Sequence, residues 1–322
     1  MNFVSQPRFA AKRHPRGTTR SGLIGNPAFL IGLKTVARDL ITLHEQCPKA
    51  YRLVSSQQKW LLTQAAYALH LERAPGKPLS GITASRLLDI IVTSGAASRN
   101  TTTAFLAELI AYRLLRPTPD NPNRRSRPLE TTEISDQVMT SWFLHHMGVL
   151  DLIDGGDRQD RIAENNRLFR LAQPLAARRL IADPAWREPP ESIGIFVWSQ
   201  SGAVLIDDLV ARIEGTAPLN GKHSLGELRL SELSDRYRVS PTHMRRVFAR
   251  AEKKKLLGWH EPGRKGGVWM SESLLRDYVS WQAVKFEALS DAYDQALERT
   301  LAPADLPLRR GFQGMSVSCL QQ

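Results

Sequence analysis

Residues Leu230 to Met270 read LSELSDRYRVSPTHMRRVFARAEKKKLLGWHEPGRKGGVWM, and this stretch decides the fold. Leu230 and Leu233 mark the inner face of a short helix that can begin at Ser231, and Arg238-Val239 makes the turn after it. Ser240 then caps a second helix whose first position is Pro241, where the backbone needs no amide donor. Met244, Val247, Phe248 and Ala251 recur at i, i+3, i+4 and i+7, which predicts one buried face. Thr242, His243, Arg245, Arg246, Ala249, Arg250 and Lys253 take the opposite face. Beyond Leu256-Leu257-Gly258 the pattern changes. Trp259, a basic tip Gly263–Gly267 carrying Arg264 and Lys265, and Val268-Trp269-Met270 read as two short strands. Helix, turn, helix, hairpin is the order of a winged helix-turn-helix, whose second helix enters the major groove. A solvated basic helix on an unrelated helical domain would show the charge alone, without the cap, turn spacing, buried face and hairpin together.

A second copy lies upstream. Ser98 to Leu115, SRNTTTAFLAELIAYRLL, aligns without a gap on Ser240 to Leu257. Ser98 falls on the cap Ser240. Thr102, Phe105, Leu106 and Leu109 fall on the buried face, and Leu114-Leu115 on Leu256-Leu257. Leu88 and Ile91 fall on Leu230 and Leu233 of the preceding helix, with Gly95 in the turn. The pattern reads as a tandem repeat. The matching surface differs: Arg99, Asn100, Thr101, Thr103, Ala104 and Glu108 replace the arginine-rich face. Arginine suits guanine edges and phosphates, and asparagine suits adenine. The first copy is therefore expected to lean on its wing and the second on its helix.

The segment after the first copy, Arg116 to Thr132 (RPTPDNPNRRSRPLETT), resembles the wing of the multiple antibiotic resistance regulator (MarR) family. The positions that carry the resemblance are Asp120, Arg124, Arg125, Arg127, Leu129 and Thr132. The sequence departs at Asn123, where the family places an aspartate. The resemblance covers about residues 50–150 and is weaker over 200–300. It implies that the second helix of the motif reads bases, that a wing arginine enters the minor groove, and that two reading heads are brought together by terminal helices. It also implies an effector site near helices such as Ile134–Leu150, where Trp142, Phe143 and Met147 are candidates; helical spacing alone makes the three core residues.

The 322-residue chain carries a formal net charge of +12 and a pI near 10.0, a balance that draws polyanions. No apolar run approaches a membrane span. Cys47 and Cys319 suggest no disulfide framework, which points to a cytoplasmic protein. Neither a phosphate-cradling glycine loop, nor zinc-ligand spacing, nor a nucleophile elbow is present, so no cofactor and no enzymatic activity are expected. His145-His146 does not change this, because adjacent helical residues point about 100° apart.

The expected fold is mostly α with small β-hairpin wings, as two tandem winged helix-turn-helix domains. Residues 1–22 read as a disordered basic arm, 23–156 as the first domain, 157–192 as a linker with a helix, 193–302 as the second domain and 303–322 as a tail. Within these, Pro27–His44, Tyr51–Arg73, Ile195–Ile213 and Ser271–Thr300 read as helices, and Gly215–Gly226 as loop. The acidic face of the last helix (Asp277, Glu287, Asp291, Asp294, Glu298) should point away from DNA, and its Trp281 and Tyr293 could serve packing between the domains or a second chain. The expected partner is double-stranded DNA, bound by one chain as an internal pseudo-dimer or by a homodimer. Transcriptional regulation is the first expectation. A plasmid-type replication initiator and a protein-interaction scaffold are the alternatives.

Overall fold

The computed structural model describes residues 18–46, 56–119, 127–215 and 218–301. Its first half opens with α1 (Arg20–Ile24), whose cap Thr19 accepts from the Gly22 amide, and α2 (Pro27–Gln46). Ser56, Thr83 and Ser98 cap α3 (Gln57–Leu71), α4 (Ala84–Thr93) and α5 (Arg99–Ala111) through their side-chain oxygens. A short antiparallel hairpin, β1 (Leu115–Pro117) with β2 (Leu129–Thr131), leads into α6 (Glu133–Asp154). Gly155 ends α6 in the left-handed region at φ 70°.

The second half begins with α7 (Arg158–Glu164), α8 (Asn166–Ala182) and the single turn α9 (Pro184–Arg187). Then come α10 (Glu191–Val197), α11 (Gly202–Ala211), β3 (Lys222–Ser224), α12 (Leu230–Arg236) and α13 (Pro241–Lys253). The strands β4 (Leu257–Glu261) and β5 (Lys265–Ser271) form a hairpin, and α14 (Glu272–Leu301) closes the described chain. β5 is central in a three-stranded antiparallel sheet of order β3-β5-β4. The molecule is thus mostly α with small antiparallel sheets.

Equivalent backbone hydrogen bonds recur in the two halves. The Leu114 amide donates to Leu109 O, and the Leu256 amide to Ala251 O, both at 2.9 Å. The residue before each is left-handed: Arg113 at φ 57° and Lys255 at φ 56°. Thr132 N donates to Leu114 O as Ser271 N donates to Leu256 O. Ile82 bridges to Leu129 on the edge of the first hairpin, where β3 pairs with β5 in the second. The turns before the capping serines also agree: Ala96 N to Ile91 O, and Val239 N to Ser234 O, each 3.0 Å. One difference corrects the gapless register. Five residues separate α4 from α5 but four separate α12 from α13, so Leu87 rather than Leu88 is buried with Ile91.

Packing between the halves is reciprocal. α2 of the first half packs on α11 of the second, and α8 of the second on α3 of the first. α1 packs on α14, while α7 packs on α6. Within the halves, α2 meets α6 as α8 meets α14. This is the pattern of an isologous two-fold interface, here drawn within one chain. Ion pairs hold both short helices. Arg20 reaches Glu287 at 2.6 Å and Asp183 at 2.7 Å, and the fully buried Arg158 reaches Asp151 at 3.0 Å and Asp154 at 2.6 Å. One continuous hydrophobic core runs through both halves, with Trp186 stacked on Trp281 at 4.2 Å and edge-on to Trp60 at 5.1 Å.

Several sequence expectations change here. Arg20, read as part of a disordered arm, sits in α1 against α14; residues 1–17 lie outside the described residues. Residues 157–192, read as a linker with a helix, contain α7, α8, α9 and the start of α10, and α8 is packed on both α3 and α14. Ile195–Ile213 is two helices rather than one, meeting at 113°. The break falls at Ser201, left-handed at φ 58°, and at Gly202, where a Cβ would lie 1.8 Å from Phe196 O. The loop expected at 215–226 contains β3, and the glycine tip is shorter than read, since Lys265, Gly266 and Gly267 belong to β5. The acidic face of α14 is engaged within the chain: Glu287 binds Arg20 and Arg179, and Asp291 binds Arg179. Trp281 and Tyr293 are buried by the chain itself, so neither is offered to a second one. No single described helix is long and apolar enough to cross a membrane.

Candidate nucleic-acid interface

The candidate surface is built from α13 upward. Ser240 Oγ accepts from the His243 amide at 3.1 Å, and Pro241 occupies the first turn. Met244, Val247, Phe248 and Ala251 are all at most 2% exposed, so one helix face is fixed into the core. Phe248 packs against Trp259 of β4, which ties helix and wing together. The other face stands in solvent. Thr242, Arg245, Arg246, Ala249, Arg250 and Lys253 are exposed, and His243 is half-buried with its Nε2 3.2 Å from Gln200 O. Side chains of His243, Arg246, Ala249, Arg250 and Lys253 line one shallow depression. Among the described residues none forms an ion pair with Arg245, Arg246 or Lys253, whereas the neighbouring Lys254 and Arg264 pair with Glu191 and Glu252.

The wing beside this face is braced rather than loose. Gly263 and Arg264 turn the chain with φ of 74° and 65°. The Arg264 guanidinium donates to Glu252 at 2.8 Å and lies over the Trp259 ring at 4.9 Å. That arginine, part of the basic tip read from the sequence, is therefore partly committed to positioning the hairpin on α13. Lys265 is exposed at the start of β5. At Gly267, φ is 78° and a Cβ would come 3.1 Å from Gly226 O, so the close approach of β5 to the segment before α12 requires glycine there.

In the first half the same scaffold carries a different surface. Ser98 Oγ accepts from the Thr101 amide at 3.2 Å, and Thr102, Phe105, Leu106 and Leu109 are buried. Arg99, Asn100 and Thr103 are exposed, while Thr101 is half-buried with its hydroxyl 2.9 Å from Ser98 Oγ. The Thr103 hydroxyl donates to Arg99 O at 3.0 Å. Glu108, on the face equivalent to the arginine-rich one, pairs with Lys59 at 2.7 Å. The sequence did not suggest this partner, which comes from α3. Arg127 is exposed, Leu129 is buried, and Thr132 precedes α6. Asp120, Arg124 and Arg125, which carry much of the wing resemblance, lie outside the described residues.

Away from these surfaces, Phe143 and Met147 are fully buried core residues. Trp142 lines a cavity of about 60 Å³ with Trp60, Trp186, Trp281 and Lys285. Burial lowers the Lys285 ammonium pKa to about 8 against partial compensation by Asp207, and burial raises the Asp207 carboxyl. His146 is fully buried beside Phe286, with Nδ1 2.7 Å from Trp142 O, and its burial holds its pKa well below the ordinary value. His145 sits on its own carbonyl bond to Ser141 O at 2.7 Å, so the adjacent histidines do not converge.

Comparisons with family models, with characterised proteins and with solved structures return no match to this chain.

Proposed function

We propose that this chain is a sequence-dependent double-stranded DNA-binding protein, used in transcriptional regulation, which acts through two winged-helix units. The observation that carries the reading is the exposed face of α13. Arg245, Arg246, Arg250 and Lys253 lie on one side of a helix whose opposite side is locked into the core, next to a braced basic hairpin. A helix so presented fits the major groove, and arginines on it suit the O6 and N7 acceptors of guanine. Cations at its end and on the wing suit phosphates, which position the protein without selecting sequence. The order of elements supports the unit: β3, α12, α13 and a hairpin, with β3 closing the sheet. The same order in the first half, from Ile82 to β2, supports a second unit.

Retention on a pool of duplex fragments at low salt tests this reading. The full chain should bind, and an unlabelled duplex should compete more strongly when it carries the preferred site. Absence of binding to every duplex at low salt would overturn the proposal and favour a protein-interaction scaffold.

A further inference from the structure

We infer that a single chain occupies a bipartite, non-palindromic duplex site in one fixed orientation, with its two heads binding unequally. This rests on the DNA-binding reading above and deepens it. The first support is the reciprocal packing of α2 on α11 and α8 on α3, and of α1 on α14 and α7 on α6. A two-fold relation between the halves would leave the component along its axis unchanged and so put α5 and α13 at the same level along that axis. The second support is rigidity. The core is continuous between the halves, and the ion pairs Arg20–Glu287 and Arg158–Asp154 clamp the short helices onto α14 and α6. The heads therefore cannot adjust independently, as they could on a flexible linker. One chain has the arrangement that other two-headed binders reach by pairing two copies, and successive major grooves on one DNA face lie about 34–36 Å apart.

The third support is the contrast between equivalent positions. Where α13 exposes Arg245, Arg246, Arg250 and Lys253, α5 places Thr103, Ala104, Glu108 and Ala111. Thus α13 carries four Lys or Arg and one acid, Glu252, while α5 carries Arg99 and Glu108 only. Glu108 is bound by Lys59, and the Thr103 hydroxyl by its own helix. The α5 face is near-neutral, and its readers are Asn100 and Arg99. The two-fold is a property of the backbone and not of the reading surfaces, so the half-sites must differ. The α13 half supplies most of the affinity, and the α5 half fixes orientation and extends the contact.

Footprinting by hydroxyl radicals, combined with the mass of the intact complex, tests this on a site selected with the full chain. One chain per duplex should protect two patches about one helical turn apart. The double change Arg245→Ala/Arg246→Ala should erase one patch and weaken binding roughly 10- to 100-fold. Arg99→Ala/Asn100→Ala should erase the other patch with a loss of only about threefold, well under the cost of one bidentate contact. All four side chains are exposed, and a melting curve equal to the parent's verifies that each variant is folded. Inverting one half-site should also abolish its patch. Two chains on a palindrome, or a single protected patch unaffected by changes in α5, would overturn the inference while leaving DNA binding intact. Failure to bind any duplex would overturn both.

Discussion

The proposed interface makes a quantitative statement about salt. Among the described residues, Arg245, Arg246, Arg250, Lys253 and Lys265 are exposed cations on α13 and its wing, and Arg264 is set aside because Glu252 holds it. If Arg245 and Arg246 are spent on base edges, three cations remain for phosphates; if they also touch phosphate, five do. Each neutralised phosphate on duplex DNA contributes a slope of about −0.9 in log K against log salt, so α13 and its wing should contribute between about −2.7 and −4.5. Between about 50 and 200 mM salt that slope weakens binding roughly 40- to 500-fold. Fluorescence anisotropy titrations at five salt concentrations give the slope directly. Lys253→Ala should reduce it by about 0.9 on any duplex, because a phosphate contact is blind to sequence. A slope near zero would refute the electrostatic reasoning. A slope unchanged by Lys253→Ala would remove that residue from the interface.

Three further outcomes follow from the packing. Phe248→Ala empties the space between α13 and Trp259, which should cost about 3–5 kcal/mol in a denaturant titration and, in the same protein, abolish DNA binding. An unaltered unfolding midpoint would contradict the seat described for α13. Gly32→Ala would place its Cβ 2.4 Å from Val149 Cγ1 at the α2–α6 crossing. Overpacking there should cost about 1–3 kcal/mol and be partly relieved by adding Val149→Ala, whereas additive losses would deny the contact. Lys285 should give an alkaline signature. Its folded pKa, about 8, is lowered from the unfolded value, so between about pH 8 and 10 the unfolded chain holds the extra proton and stability rises with pH. Lys285→Met should flatten that rise, measured by chemical denaturation across the window; an unchanged rise would assign it to another group.

The parts of the fold that could be read from sequence are those whose signals are local. Ser240, Pro241 and the spacing of Met244, Val247, Phe248 and Ala251 specify cap, start and buried face without any partner. The same holds for Ser98 and the face it precedes. β3 was not legible because Lys222-His223-Ser224 shows no apolar alternation; it is a strand only because β5 offers an edge beside it. The break at 199–202 hid inside an apolar run, and only Ser-Gln-Ser-Gly marks it. α8 looked like a connector because its role is tertiary: one side packs on α3, the other on α14, and Arg179 meets an acidic face a hundred residues away. For the site, the basic face of α13 was visible as a list of exposed arginines. That Lys59 cancels Glu108 and that Glu252 holds Arg264 could not be seen, since each pair joins separate elements.

In the proposed function, the exposed face of α13 reads duplex sequence. Selection from a randomised duplex pool at physiological salt, run in parallel with the full chain and with Arg245→Ala/Arg246→Ala, tests it most directly. A shared motif, asymmetric about its centre, should emerge in the pool recovered by the parent, and should be lost or relaxed at the bases facing α13 in the pool recovered by the variant. Recovery of the same motif by both proteins, or of no motif by the parent, would contradict it.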